Sequence, residues 1–89
     1  MKAVITVTGK DTVGIIASVS AFCAEHKANI MEITQSVLSE YFAMIMIAQI
    51  DKLDMPFADF AEGLSKMGKE KALDIRAMHE DIFNTMHHI

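Results

Sequence analysis

The chain is poor in cysteine, in clustered positive charge and in long apolar runs, and each shortage excludes something. Cys23 is the sole cysteine among 89 residues. No internal disulfide can form, which suits a reducing compartment, so a cytoplasmic location is expected. Lys and Arg number 8 against 12 Asp and Glu, giving a net charge of −4 with neutral His. Proteins that track phosphates gather their positive charge. Here the densest basic stretch is Lys66, Lys69 and Lys71, broken by Glu70, which reads as a solvated helix end. Direct nucleic-acid binding is not expected. No stretch approaches the ~20 apolar residues of a bilayer span. The apolar start, Met1 to Val7, is too short for a secretory core, so no membrane association is expected either.

Recognisable catalytic patterns are absent too. The serines at 18, 20, 36, 39 and 65 lack the Gly-x-Ser-x-Gly elbow of a nucleophile turn. The histidines at 26, 79, 87 and 88 do not form the paired i, i+4 spacing of a zinc helix. His87 and His88, adjacent on a helix, would point about 100° apart, a poor geometry for one metal. Asp11, His26 and His79 are the residues to which chemistry would otherwise fall, and none has a nucleophile–base pairing in the sequence. The expectation is a non-enzyme without cofactor or metal.

What is present is apolar bulk. Hydrophobic residues make up 52% of the chain, eight of them Met. A chain this size buries only roughly 60–65% of the surface its unfolded form exposes. Some apolar surface should therefore meet a second copy, predicting a homo-oligomer.

Periodicity divides the chain into seven elements. Ala3–Thr8 is β-branched and near-alternating, a strand with Ile5 and Val7 inward. Asp11 or Thr12 can cap a helix over Val13–Lys27, whose stripe is Ile15, Ile16, Val19, Phe22 and Cys23. Ala28-Asn29 ends it, Asn tolerating the left-handed conformation. Ile30–Ser39 and Tyr41–Ile50 follow as a hairpin around Ser39-Glu40. The second strand is apolar on both faces, with Ala43, Ile45 and Ile47 opposite Phe42, Met44 and Met46, so both faces call for cover. Pro56 suits the first turn of a helix carrying Phe57, Phe60, Leu64 and Met67, with Gly68 as its stop. Leu73, Ile75 and Ala77 mark a fourth strand; Ile82, Phe83, Met86 and Ile89 mark a terminal helix. The order predicts an α+β fold, with both crossover helices on one face of a four-stranded antiparallel sheet and an extra C-terminal helix. Residues 1–89 are expected to form one domain, with 3–79 its βαββαβ core and 80–89 the added helix.

The informative segment is Gly9-Lys10-Asp11-Thr12-Val13-Gly14-Ile15-Ile16. It joins a strand to a helix start, where free amides and the helix dipole favour an anion. It lacks the Gly-Lys-Ser/Thr ending of a phosphate loop. A carboxylate at these amides, with Asp11 accepting from an ammonium group, would suit an α-amino acid. A capped turn with a glycine for packing is the plainer alternative from spacing alone.

With these residues in view, the chain resembles an ACT domain over residues 3–79. The likeness rests on the strand–turn–helix Val4–Ile16 with Asp11, Gly14 and Ile15, on Ala28-Asn29-Ile30 after the helix, and on the element order. Its terminal Glu80-Asp81-Ile82-Phe83-Asn84 is similar to that of small stand-alone prokaryotic ACT proteins related to the glycine cleavage system repressor. The resemblance implies a ferredoxin-like fold and dimers made by pairing sheets or helices. It also implies a small effector, typically an amino acid, held between subunits. It assigns ligand contact to Asp11, Thr12, Val13, Gly14 and Ile15 from one chain, and to Asn29 and Ile30 from the other. Val13 stands where Pro is common and Thr12 where a basic residue is frequent. No output domain accompanies these residues, so a regulated target would be a separate protein. The alternative is a protein–protein interaction module that takes no metabolite.

Overall fold

The computed structural model describes residues 1–10 and 14–86. Seven elements follow in order: β1 (Lys2–Gly9), α1 (Ile15–Glu25), β2 (Asn29–Leu38), β3 (Tyr41–Gln49), α2 (Phe57–Glu70), β4 (Asp74–His79) and α3 (Glu80–Met86). The strands form one sheet in the order β2-β3-β1-β4, every pairing antiparallel. This is the ferredoxin-like βαββαβ arrangement with an added C-terminal helix.

Register sorts the side chains into two faces, because residues paired across antiparallel strands share a side. Ile5 lies opposite Met46 and Ala77, and Val7 opposite Met44 and Ile75. These side chains meet Ile15, Val19 and Cys23 of α1 and Phe60 and Leu64 of α2 in one apolar core. Both long helices therefore lie on the same sheet face. The other face presents Thr34, Ile45, Thr6 and Arg76 in one row, and Ser36, Ala43, Thr8 and Asp74 in the next. α3 packs against β1 and β4. The cover expected over both sides of β3 is thus realised on the helix side, while Ile45 on the outer side remains 41% exposed.

The helix ends differ from expectation. α1 spans Ile15–Glu25 rather than Val13–Lys27, because Gly14 at φ +75° is its N-cap and Lys27 at φ +64° turns the chain out. Lys27, not Asn29, takes the left-handed position. The Lys27 amide donates to the Ala24 carbonyl at 3.2 Å and the Ala28 amide to that of Cys23 at 2.8 Å, the paired bonds of a Schellman turn. α2 ends the same way. Ala72 sits at φ +59°; its amide donates to the Lys69 carbonyl at 3.4 Å, and the Leu73 amide to that of Gly68 at 2.8 Å. Gly68 is therefore inside the helix rather than its stop. A Cβ there would lie 2.9 Å from the Leu73 carbonyl oxygen and from Ile75 Cγ1, so the missing side chain lets β4 close onto α2. Pro56 is the residue before α2 rather than its first, and its carbonyl accepts from the Asp59 and Phe60 amides at 3.0 and 3.2 Å.

Candidate functional site

The turn singled out in the sequence begins where β1 ends. Gly9 pairs with Phe42, at the hairpin end of the sheet. Asp11, Thr12 and Val13 lie outside the described residues. Gly14 follows in the left-handed region, with no atom of the described residues within 4 Å of where a Cβ would stand. Its role is conformational and not one of packing: at φ +75° an L side chain is strained even in open space. Its carbonyl opens the helix by accepting from the Ser18 amide at 2.9 Å. Gly14 offers no side-chain cap, and the first amides of α1 have no intrahelical acceptor. The Ile15 side chain is buried in the core, so at this turn Ile15 can offer a ligand only its backbone.

The other expected contacts are remote. Asn29 opens β2, exposed, paired with Gln49 at the opposite end of the sheet from Gly9. Ile30 is half-buried against the core. The eleven residues of α1 separate Gly14 from Asn29, roughly 16 Å at helical rise. Within one chain, Gly14 and Ile15 therefore stand apart from Asn29 and Ile30. Beside Asn29 the surface forms a hollow of about 380 Å³ bordered by Ser20, Ala24, Lys27, Ala28 and Ile30.

The outer edge of β2 has no partner strand among the described residues. Every side chain from Met31 to Val37 is exposed, including Met31, Ile33 and Val37. Met31 occupies an irregularity between Ile30 and Glu32 and has no register partner on β3. A ten-residue edge strand without Lys or Pro offers a row of unpaired backbone groups to another strand.

The histidines have packing roles that sequence spacing did not reveal. His26 Nδ1 lies 3.1 Å from Asp54 Oδ1, and the Asp54 amide donates to the His26 carbonyl at 3.2 Å. This two-point clasp ties the end of α1 to the β3–α2 loop. His26 also stacks edge-on to Phe22, and from there a line of rings runs through Phe60 and Phe57 to His79. His26 and His79 thus stand at the two ends of an aromatic row. His87 and His88 lie outside the described residues. Among the described residues no group of three His, Cys, Asp or Glu side chains could hold a metal. Burial pushes the Cys23 thiol up to about 11, which removes its nucleophilic form near neutrality. The Asp51 carboxyl is held below its usual range by hydrogen bonds from the Met1 ammonium and from Gln49. No helix among the described residues is long and apolar enough to cross a membrane.

Comparison with known proteins agrees with this architecture. The family model for ACT domains matches residues 2–78. A UPF0237 protein of Methanopyrus kandleri is 41% identical over 88 residues, covering 99% of this chain and 98% of its own. The solved structure of an ACT domain protein from Streptococcus pneumoniae superposes with a TM-score of 0.82 at 38% identity, over 93% of each chain. A putative glycine cleavage system transcriptional repressor shares the fold at a TM-score of 0.77 and 12% identity, over 86% of this chain and 45% of that one.

Proposed function

This chain belongs to the ACT domain family, a family of regulatory modules, and from that premise we propose that it is a regulatory module binding an amino acid between two identical chains. In this reading residues 1–89 act as one cytoplasmic unit, with 3–79 the core and 80–89 an added helix. It catalyses nothing itself and acts on a separate target protein.

One observation carries the reading: Gly14 and Ile15 lie at the opposite end of α1 from Asn29 and Ile30, beside a β2 edge that has no partner strand among the described residues. If two β2 edges pair antiparallel about a two-fold axis, the start of one β2 lies beside the end of the other. Asn29 and Ile30 of one copy then approach the Gly9–Gly14 turn of its partner. The ligand carboxylate would take the backbone amides at Gly14 and Ile15, with Thr12 and Val13 completing the expected contact set. Asp11 would accept from the ammonium, and Asn29 would close the niche from across the interface. Ligand and assembly are then linked, since a ligand spanning two chains stabilises only the dimer.

Thermal-shift screening against the amino acids, with sedimentation of the same samples, tests this. An effector at a hundredfold its Kd adds about 2.7 kcal/mol, a shift of several degrees in a chain of this size. Asn29→Ala should remove that shift while leaving the unliganded melting temperature in place. A flat screen at millimolar concentrations would remove the ligand from the proposal. A monomer in sedimentation would remove the niche itself.

The exposed Ile45 on the outer sheet face favours a second reading, a protein-docking module without a metabolite. Under that reading the ligand screen is flat and a single stoichiometric partner binds, with affinity lost in Ile45→Glu.

A further inference from the structure

At the Asn29 end of the sheet lies a second hollow, of about 390 Å³, lined by Lys27, Asn29, Gln49, Asp51 and Lys52. Its position depends on the clasp already described. His26 and Asp54 join through both a side-chain contact and a backbone hydrogen bond, so the α1–β2 turn and the β3–α2 loop are fastened to each other. Lys27 follows His26 and Lys52 precedes Asp54 by two residues. The fastening therefore places two lysines, 25 positions apart in a chain of net charge −4, on one hollow.

Like charges held on one hollow repel unless something offsets them. The one carboxylate lining it does not do so: Asp51 accepts from Gln49 Nε2 at 2.9 Å and pairs with the Met1 ammonium at 2.5 Å. Among the described residues, neither Lys27 nor Lys52 has an ion-pair partner. Asn29 and Gln49 are cross-strand neighbours and bring amide groups that donate as well as accept. Two unpaired ammonium groups and two amides around a hollow form the donor set for an oxyanion. The volume is several times that of the ~30 Å³ a water occupies, so it admits a small metabolite rather than only a single ion.

We infer that Lys27, Lys52, Asn29 and Gln49 form an oxyanion-binding site for a small anionic metabolite, complete within one chain. It shares Asn29 with the niche between copies but needs no second subunit.

Backbone amide shifts of the full-length protein, titrated separately with citrate and with inorganic phosphate at constant ionic strength, test the inference. The expected result is saturable movement at Lys27, Asn29, Gln49 and Lys52. Saturation by citrate identifies a carboxylate ligand, and saturation by phosphate a phosphoryl one. The double variant Lys27→Asn/Lys52→Gln keeps the left-handed turn, which Asn tolerates, and should weaken binding at least about tenfold, since charge-assisted hydrogen bonds are the strong ones. Movement that is absent with both anions, or unchanged in the double variant, overturns the site. So does movement abolished by Gly14→Ala, which would place the anion at the start of α1. Failure of the niche between copies leaves this titration unaffected.

Discussion

The two edges of the sheet are built to opposite ends. β4 is six residues long, carries the Arg76–Asp74 ion pair at 3.2 Å, and packs against both α2 and α3. β2 is ten residues long, with Met31, Ile33 and Val37 all exposed and no strand among the described residues along its free side. Short length, charge and covering helices are the devices that keep an edge from pairing. β4 has all three, whereas β2 is long and carries a single charge, Glu32. The β4 edge therefore belongs to the stability of a single chain. The β2 edge is where the proposed dimer would extend the sheet.

That contrast fails first if it fails at Gly68. Gly68→Val would place a Cβ 2.9 Å from the Leu73 carbonyl and Ile75 Cγ1, and neither atom is the end of a flexible side chain. Overpacking of this kind should cost about 2–3 kcal/mol in urea unfolding, with association unaffected once the chain is folded. The β2 edge should respond inversely. Ile33 and Val37 are 39% and 67% exposed, so Ile33→Lys/Val37→Lys should change the stability of the isolated chain by about 1 kcal/mol or less. It should nevertheless convert the proposed dimer to monomer in sedimentation. An oligomer that survives both lysines would mean the copies meet elsewhere.

Cys23, on α1, is buried in the core beneath the sheet, away from the contrast between the edges. An unfolded thiol ionises near 9.0, whereas burial holds the folded one to about 11. Between those values the unfolded chain gives up a proton that the folded chain keeps, so stability is intact below pH 9.0 and declines as pH rises towards 11. Cys23→Ala should flatten that part of the pH–stability curve. The native thiol should resist a disulfide reagent that labels it at once in urea. Rapid native labelling would show that the core opens locally.

The sheet was legible where alternation marks one buried face, as in Ile5 and Val7 set against Thr6 and Thr8. The helix ends were not, because the left-handed residues are Lys27 and Ala72, which carry no compositional mark of that conformation. Glycine misled at 68 because the same residue signals a helix end and a close approach. Gly14 was legible as a turn, and its positive φ gives the physical reason. The separation of Gly14 from Asn29 follows once strand order is known. Periodicity could not show that β2 would be an edge, since Ile33 and Val37 look like core positions. The clasp of His26 with Asp54, and with it the meeting of Lys27 and Lys52, depends on a contact 28 residues apart that no local pattern encodes.

The finest comparison sets the two helix exits against each other, one leading into each edge. Lys27 at φ +64° precedes β2, and Ala72 at φ +59° precedes β4. Both are exposed and both close the same pair of backbone bonds, so the left-handed strain on each should be alike. That strain is about 1–2 kcal/mol for a residue with a Cβ, offset in part by the extra freedom glycine has when unfolded. Ala72→Gly and Lys27→Gly should therefore each stabilise the chain by about 0.5–1 kcal/mol, and by nearly equal amounts. Their consequences should then part. Ala72→Gly touches nothing but the turn, so every binding property stays as it was. Lys27→Gly removes one of the two ammonium groups on the Asn29 hollow, so it should gain stability while losing affinity for citrate or phosphate. Equal gains with unequal binding would separate the backbone role of position 27 from its charge. A loss of stability at 27 alone would show that the lysine side chain contributes to the fold rather than to a ligand.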